Sequence, residues 1–257
     1  MKVITVASWE DFVRQTDALD GWAFRGQREA NWDMVSALAR YLTLYCPDRS
    51  AWKAREERAI RIFRRKAHIY LREGAIHTDS LRSLAIMQHH GAPTRLLDFT
   101  KSPYVAALFA LERATQDAAL FALNTPALWN AAPAFDPALT RDRIDPRVPG
   151  NFERYFAANT QPVLWFGEPD EMDRRLVAQS GLFVLPGVLH MSLREILLHY
   201  DPAETMCCKI VLPLHLRERA MHALYRMNIT HATLFPDLDG LARSMAYELE
   251  VSWSASG

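Results

Sequence analysis

The chain is poor in cysteine and glycine, lacks long apolar runs and carries no excess of either charge. Its three cysteines, Cys46, Cys207 and Cys208, are an odd number with one adjacent pair, which is a poor basis for a disulfide framework. The Cys207-Cys208 pair lacks C-x-x-C spacing. His89-His90 and the distant His215 and His222 complete no familiar ligand pattern, so no metal is expected. The paired cysteines fall in MCCKIVLPL, a predicted strand, and read as buried, inert thiols. Ten glycines and 14 prolines in 257 residues exclude a collagen-like or low-complexity chain. No apolar run reaches the roughly 18 residues of a membrane helix, so no membrane partner is expected. The opening MKVITVASWEDF turns acidic too early for a secretory signal peptide, and the expected location is cytoplasmic. Thirty Lys and Arg balance thirty Asp and Glu. That balance excludes a generally basic nucleic-acid coat but leaves room for a local basic face. Gly-x-Gly-x-x-Gly, Walker and Gly-x-Ser-x-Gly sequences are also missing. Rossmann, P-loop and common hydrolase readings therefore have no support.

What is present suits a globular protein: 49% of residues are hydrophobic and 23% charged. Residues 8–19 predict a helix with Ser8 as N-cap. Residues 21–27, GWAFRGQ, predict a short strand entering a turn. The run 51–72 is helical, with Ile60, Phe63, Ala67 and Tyr70 on one face. Residues 80–90 predict a helix closed by Gly91, and 102–114 another with Ser102 as N-cap and Pro103 at its first position. Strands are expected at 118–124, 163–169 and after Gly181, and helices at 215–228 and after Pro236. Residues 125–162, with six prolines, read as an irregular insertion. Helices and strands mix without strict alternation, so the expected class is α+β: one domain over 1–257 with its core at about 10–245. The sheet is expected to be small and mixed or split, with helices flanking it.

Charge concentrates in one place. Lys53, Arg55, Arg58, Arg61, Arg64, Arg65, Lys66 and Arg72 face only Glu56 and Glu57 before Glu73. Two readings stand: a solvated helix face, or a polyanion contact through Arg58, Arg61 and Arg65.

Three segments carry a resemblance. The first is Phe24-Arg25-Gly26-Gln27, followed by Trp32 and Ala39-Arg40. The second is the run from Gln88 to Thr100, QHHGAPTRLLDFT, followed by Ser102-Pro103. The third is Gln179-Ser180-Gly181-Leu182-Phe183, joined by Thr233 to Leu241, TLFPDLDGL. In this order, over about residues 10–245, the chain resembles the FRG domain family, named after its Phe-Arg-Gly motif. The family is itself similar in motif order to ADP-ribosyltransferases. Those enzymes use a strand-borne Arg or His, a Ser-Thr-Ser-like strand running into a helix, and a late Glu or substitute.

The resemblance implies an ADP-ribosyltransferase-like fold and an enzyme that uses NAD as substrate, as a transferase or an NAD glycohydrolase. It also implies a toxin or phage-defence role, with RNA, DNA or protein as acceptor. Arg25, Asp98 and Gln179 are the candidate catalytic residues. Gly26, His89, Thr94, Arg95, Thr100 and Ser102 are the candidate NAD-binding residues. Arg25 and Arg95 suit phosphates through their planar fork, Gly26 suits close backbone approach, and His89 suits proton transfer near neutral pH. The structural alternatives are a buried Arg25–Asp98 ion pair, an Arg95 that satisfies backbone carbonyls, and cap or turn roles for His89, Thr100 and Ser102. Gln179 lacks the charge of the family's Glu. Glu248 and Glu250, sharing one face if they lie on a strand, are the alternative acids. TLFPDLDGLA reads as architecture, with Leu234, Phe235, Leu238 and Leu241 buried and Asp237 or Asp239 capping a helix. A non-catalytic module binding a nucleotide-like ligand, nucleic acid or protein through the same pocket is the alternative function.

Overall fold

The computed structural model describes residues 1–71 and 79–250. The expected Arg72 and Glu73 ends of the charge run lie outside the described residues. The elements in order are β1 (Lys2–Thr5), α1 (Trp9–Asp17), β2 (Ala23–Gln27), α2 (Ala37–Tyr45), α3 (Trp52–Ala67), α4 (Ser80–His89), β3 (Leu97–Thr100), α5 (Pro103–Leu111), β4 (Ala118–Leu123) and α6 (Thr125–Leu128). After them come β5 (Leu164–Gly167), α7 (Arg174–Ala178), β6 (Gly181–Pro186), α8 (Leu193–Leu197), β7 (Cys207–Leu212), α9 (Arg217–Arg226), α10 (His231–Leu234) and α11 (Leu238–Glu250). The class is α+β, and the sheet is larger than the small one expected.

Among the described residues seven strands form one mixed sheet, ordered β1-β7-β4-β2-β3-β6-β5. Only β1 and β7 run parallel; every other pair is antiparallel. The seam between β2 and β3 is narrow. Those strands pair at one position, Phe24 opposite Thr100, whereas β2 pairs β4 over five positions and β3 pairs β6 over four. The sheet therefore forks there, and the backbone beyond Phe24 and ahead of Thr100 is open to side chains.

Helix α5 anchors one face of the sheet. Ser102 caps it, accepting from the Val105 N–H at 3.3 Å, with Pro103 in the first turn. Its small residues Ala106, Ala107 and Ala110 are fully buried, so its backbone lies close on β2. A Cβ at Gly26 would stand 2.0 Å from the Ala106 carbonyl oxygen and 2.7 Å from the Ala110 nitrogen. Gly26 is thus a strand–helix packing glycine, and it also stands in the lining of the cleft described below. Gly26→Ala must push α5 off the sheet. It is expected to cost about 3 kcal/mol of stability, read as a lowered urea midpoint with an unchanged slope.

Phe12, Phe24, Leu120 and Leu224 complete the core on the α5 face, and Leu97, Phe121, Val184 and Ile196 build the opposite one. A third cluster joins α3 and α4 to the region expected to be an insertion. Leu139, Ile144 and Phe152, Tyr155 and Phe156 of a π-helical turn (Phe152–Ala157) pack on Trp165 and Leu185. The region is irregular as expected, but it completes the core rather than decorating it. Cys46, Cys207 and Cys208 are buried and unbridged, and burial pushes the last two thiols up to about 12 and about 11.

Three local expectations are corrected. Helix α3 ends at Ala67, so Tyr70 lies past it and is 81% exposed instead of on its apolar face. Leu238 and Leu241 are 78% and 51% exposed, because α11 packs through Gly240 against Phe235, where a Cβ would meet the Phe235 carbonyl oxygen at 1.9 Å. Glu248 and Glu250 lie on helix α11 and not on a strand; Glu250 pairs with Arg217 at 2.7 Å and Glu248 accepts from the Tyr225 hydroxyl at 3.3 Å. Among the described residues, no helix is long and apolar enough to cross a membrane.

Candidate active site

The fork between β2 and β3 holds Arg25. Its Nη1 donates to the Asp98 backbone oxygen at 2.7 Å, while its buried Nε has no partner among the described residues. Burial holds the guanidinium below the usual arginine range, opposed by the Asp98 carboxylate and reinforced by the like charge of Arg40. The expected buried Arg25–Asp98 ion pair does not form: Asp98 is exposed, and the contact is to its main chain. A half-desolvated cation with an idle donor is a ready anion site.

A cleft of about 300 Å³ opens at this point, with Arg25, Asp98, Thr100 and Gln179 in its lining. Thr100 and Gln179 are tied together across the β3–β6 step. The Thr100 hydroxyl donates to the Gln179 backbone oxygen at 2.6 Å and accepts from the Ser102 N–H at 3.0 Å. Gln179 Nε2 donates to the Leu234 backbone oxygen at 3.0 Å, which joins α7 to α10.

The opposite wall carries residues that the sequence reading missed. Glu112 follows α5 directly, and its carboxylate pairs with Nε2 of His231, the first residue of α10. Both side chains are largely buried, and Nδ1 of His231 has no partner among the described residues. The imidazole stacks on Phe235, 4.7 Å between centroids, and Phe235 meets Phe109 edge-on at 6.0 Å. Arg175 lies over the Phe235 ring, its guanidinium 4.2 Å from the centroid. Burial also lowers the pKa of Arg175, with Asp98 the largest opposing charge. Arg113 and Arg243 also line the cleft, as does Gly26. Four arginines thus surround two carboxylates, one of them already engaged by His231. Weak signals for these residues were present. Arg175 stands four residues before Gln179, one helical turn away, and His231 stands two before the Thr233 motif.

The remaining candidates lie elsewhere. Arg95 is completely buried, and its Nε donates to Glu56 at 2.7 Å while Nη2 pairs with the other Glu56 oxygen. Its Nη1 donates to the backbone oxygens of Phe156 and Pro186 at 2.7 and 3.1 Å. The expected pyrophosphate role of Arg95 is corrected: this arginine clamps α3, the π-helical turn and β6 together. Thr94 is buried too, bonded to Gln88 and accepting from the Leu96 N–H at 3.2 Å, and it does not reach the cleft. Ser102 is the cap of α5 and is absent from the cleft lining. His89 pairs through Nδ1 with Asp173 at 2.8 Å and stands outside the lining, holding the N-terminus of α7. Arg58, Arg61 and Arg65 are exposed on α3, while Arg64 turns inward to Ser83 and Ser80, 2.9 Å from each.

Residues 20–119 match the family model of the FRG domain. The match supports the FRG family and takes in Arg25, Asp98, Thr100 and Glu112. Arg175, Gln179 and His231 lie beyond it. No curated protein and no solved structure matches the chain.

Proposed function

We propose, from an FRG-domain relationship and the cleft at the sheet fork, that the protein binds an NAD-like dinucleotide and cleaves its nicotinamide–ribose bond. The ADP-ribosyl group then passes to an acceptor or to water. One observation carries this reading. The three motif segments, distant in sequence, sit on neighbouring strands β2, β3 and β6, and Arg25, Thr100 and Gln179 converge on one cationic cleft. The resemblance of these segments to the motif order of ADP-ribosyltransferases supports the reading.

The chemistry follows from the lining. Arg25, with Arg175 and Arg113, suits the pyrophosphate through charge-assisted bonds. Phe109, half-buried in the lining, offers an apolar ring for contact with a base. As the C1–nitrogen bond breaks, its electron pair returns to the pyridinium nitrogen, and nicotinamide leaves neutral. Positive charge then develops on the ribose, and its stabilisation is assigned to the Glu112 carboxylate. The incoming oxygen or nitrogen bonds to C1 and loses its proton to the Glu112–His231 pair. Gln179, a neutral amide held by Leu234, orients the substrate and adds no charge.

The test is incubation of purified protein with labelled NAD and cell extract, following nicotinamide release and label transfer. Arg25→Ala is expected to cut release at least ~100-fold while the protein keeps its thermal transition. Label on a macromolecule identifies a transferase, and release alone an NAD glycohydrolase. A folded wild-type protein that leaves NAD intact in its native extract would move the reading to a non-catalytic nucleotide-binding module.

A further inference from the structure

Gln27 is more than nine-tenths buried, yet only one end of its amide is satisfied. Nε2 donates to the Asp33 backbone oxygen at 3.3 Å, and Oε1 has no partner among the described residues. It lines an open cleft of about 700 Å³ that adjoins the first and shares Arg25 and Arg113 with it. At the mouth Trp32 is 41% exposed, with the Arg28 guanidinium 4.9 Å from its ring centroid. Arg40, at the cleft edge, is followed on α2 by Tyr41 and, one turn on, Tyr45. Those rings are 53% and 68% exposed, and their centroids stand 4.7 Å apart. They border a groove of about 720 Å³ between α2 and α3, where Arg55 and Arg58 supply the charge and, among the described residues, no acid lines the wall.

Exposed aromatics and arginines occur together in both places, Trp32 with Arg28 and Arg40 in one and Tyr41 and Tyr45 with Arg55 and Arg58 in the other. Each ring is a stacking platform that any base can use, and each guanidinium answers a phosphate. Duplex bases are hidden in their stack, whereas a single strand presents both faces and edges. We propose that this strip binds single-stranded nucleic acid. Bases lie on Trp32, Tyr41 and Tyr45, and phosphates on Arg28, Arg40, Arg55 and Arg58. The strand would run from the Arg25 cleft over α2 towards the basic face of α3. This goes beyond NAD cleavage and does not depend on it.

The experiment is fluorescence anisotropy with fluorescein-labelled oligoadenylate and oligothymidylate about 20 nucleotides long, in the absence of NAD. Wild-type protein binds both, and affinity falls steeply as salt rises. Tyr41→Ala with Tyr45→Ala weakens binding about tenfold or more, and the corresponding Phe pair retains it. Both rings are exposed, so the variants keep the wild-type melting curve. No binding at low salt, wild-type binding by the alanine pair, or equal affinity for duplex of the same length would each overturn the proposal. Because no NAD is present, failure here is separate from failure of the nicotinamide-release assay.

Discussion

Arg95→Met is expected to lower stability by roughly 3–5 kcal/mol, the largest effect of any single substitution outside the cleft. The guanidinium is wholly enclosed, with Glu56 itself only 3% exposed. Removing the arginine strands a carboxylate in the core and leaves the Phe156 and Pro186 carbonyls without their donor. An uncompensated buried charge costs far more than the pair contributes, because desolvation is no longer offset. The double variant Arg95→Met with Glu56→Leu removes both charges and is expected to recover most of the loss. Urea denaturation of the wild type, both single variants and the double closes the cycle. A double variant no more stable than Arg95→Met would show that the damage lies in packing and not in the orphaned charge.

Glu112→Gln is expected to slow nicotinamide release by ~100- to 1,000-fold with little change in apparent affinity for NAD. The amide keeps the shape of the side chain and still reaches His231, but it gives no negative charge to a ribosyl cation. An interaction that matters only as charge develops shows in kcat, not in binding. His231→Ala is expected to act less, since it removes the partner that orients Glu112 and leaves the carboxylate in place. Steady-state rates for the three proteins decide the point. Equal losses of kcat and of NAD affinity in Glu112→Gln would assign the residue to ground-state binding.

Much of the fold was legible because its signals are local. Ser8, Ser102 and Pro103 announce helix starts by side-chain chemistry alone, and the helices begin there. The α+β class followed from the same local reading. The candidate site was legible in part. Arg25, Asp98, Thr100 and Gln179 lie in runs that resemble a family, and they line one cleft. Arg95 sits in the same run as Asp98, yet it points the other way, into the third core cluster. Nothing in QHHGAPTRLLDFT distinguishes a guanidinium facing ligand from one facing Glu56, because Glu56 lies 39 residues away on α3. Glu112 and His231 were missed for the corresponding reason. They stand 119 residues apart, and only the packing of α10 beside the end of α5 makes them a pair. Gly26 carries a second reason that only packing reveals: it lines the cleft, and a Cβ there would strike the backbone of α5.

The most direct measurement is a proton NMR time course of NAD mixed with the purified wild-type protein and, separately, with Arg25→Ala. One tube reports both binding, as line broadening of the dinucleotide, and cleavage, as the growth of free nicotinamide resonances. The account predicts broadened lines and growing nicotinamide with the wild type, and sharp, unchanged NAD with the folded variant. Sharp and unchanged NAD in both tubes, or equal cleavage in both, would contradict the assignment of the Arg25 cleft as a dinucleotide-cleaving site.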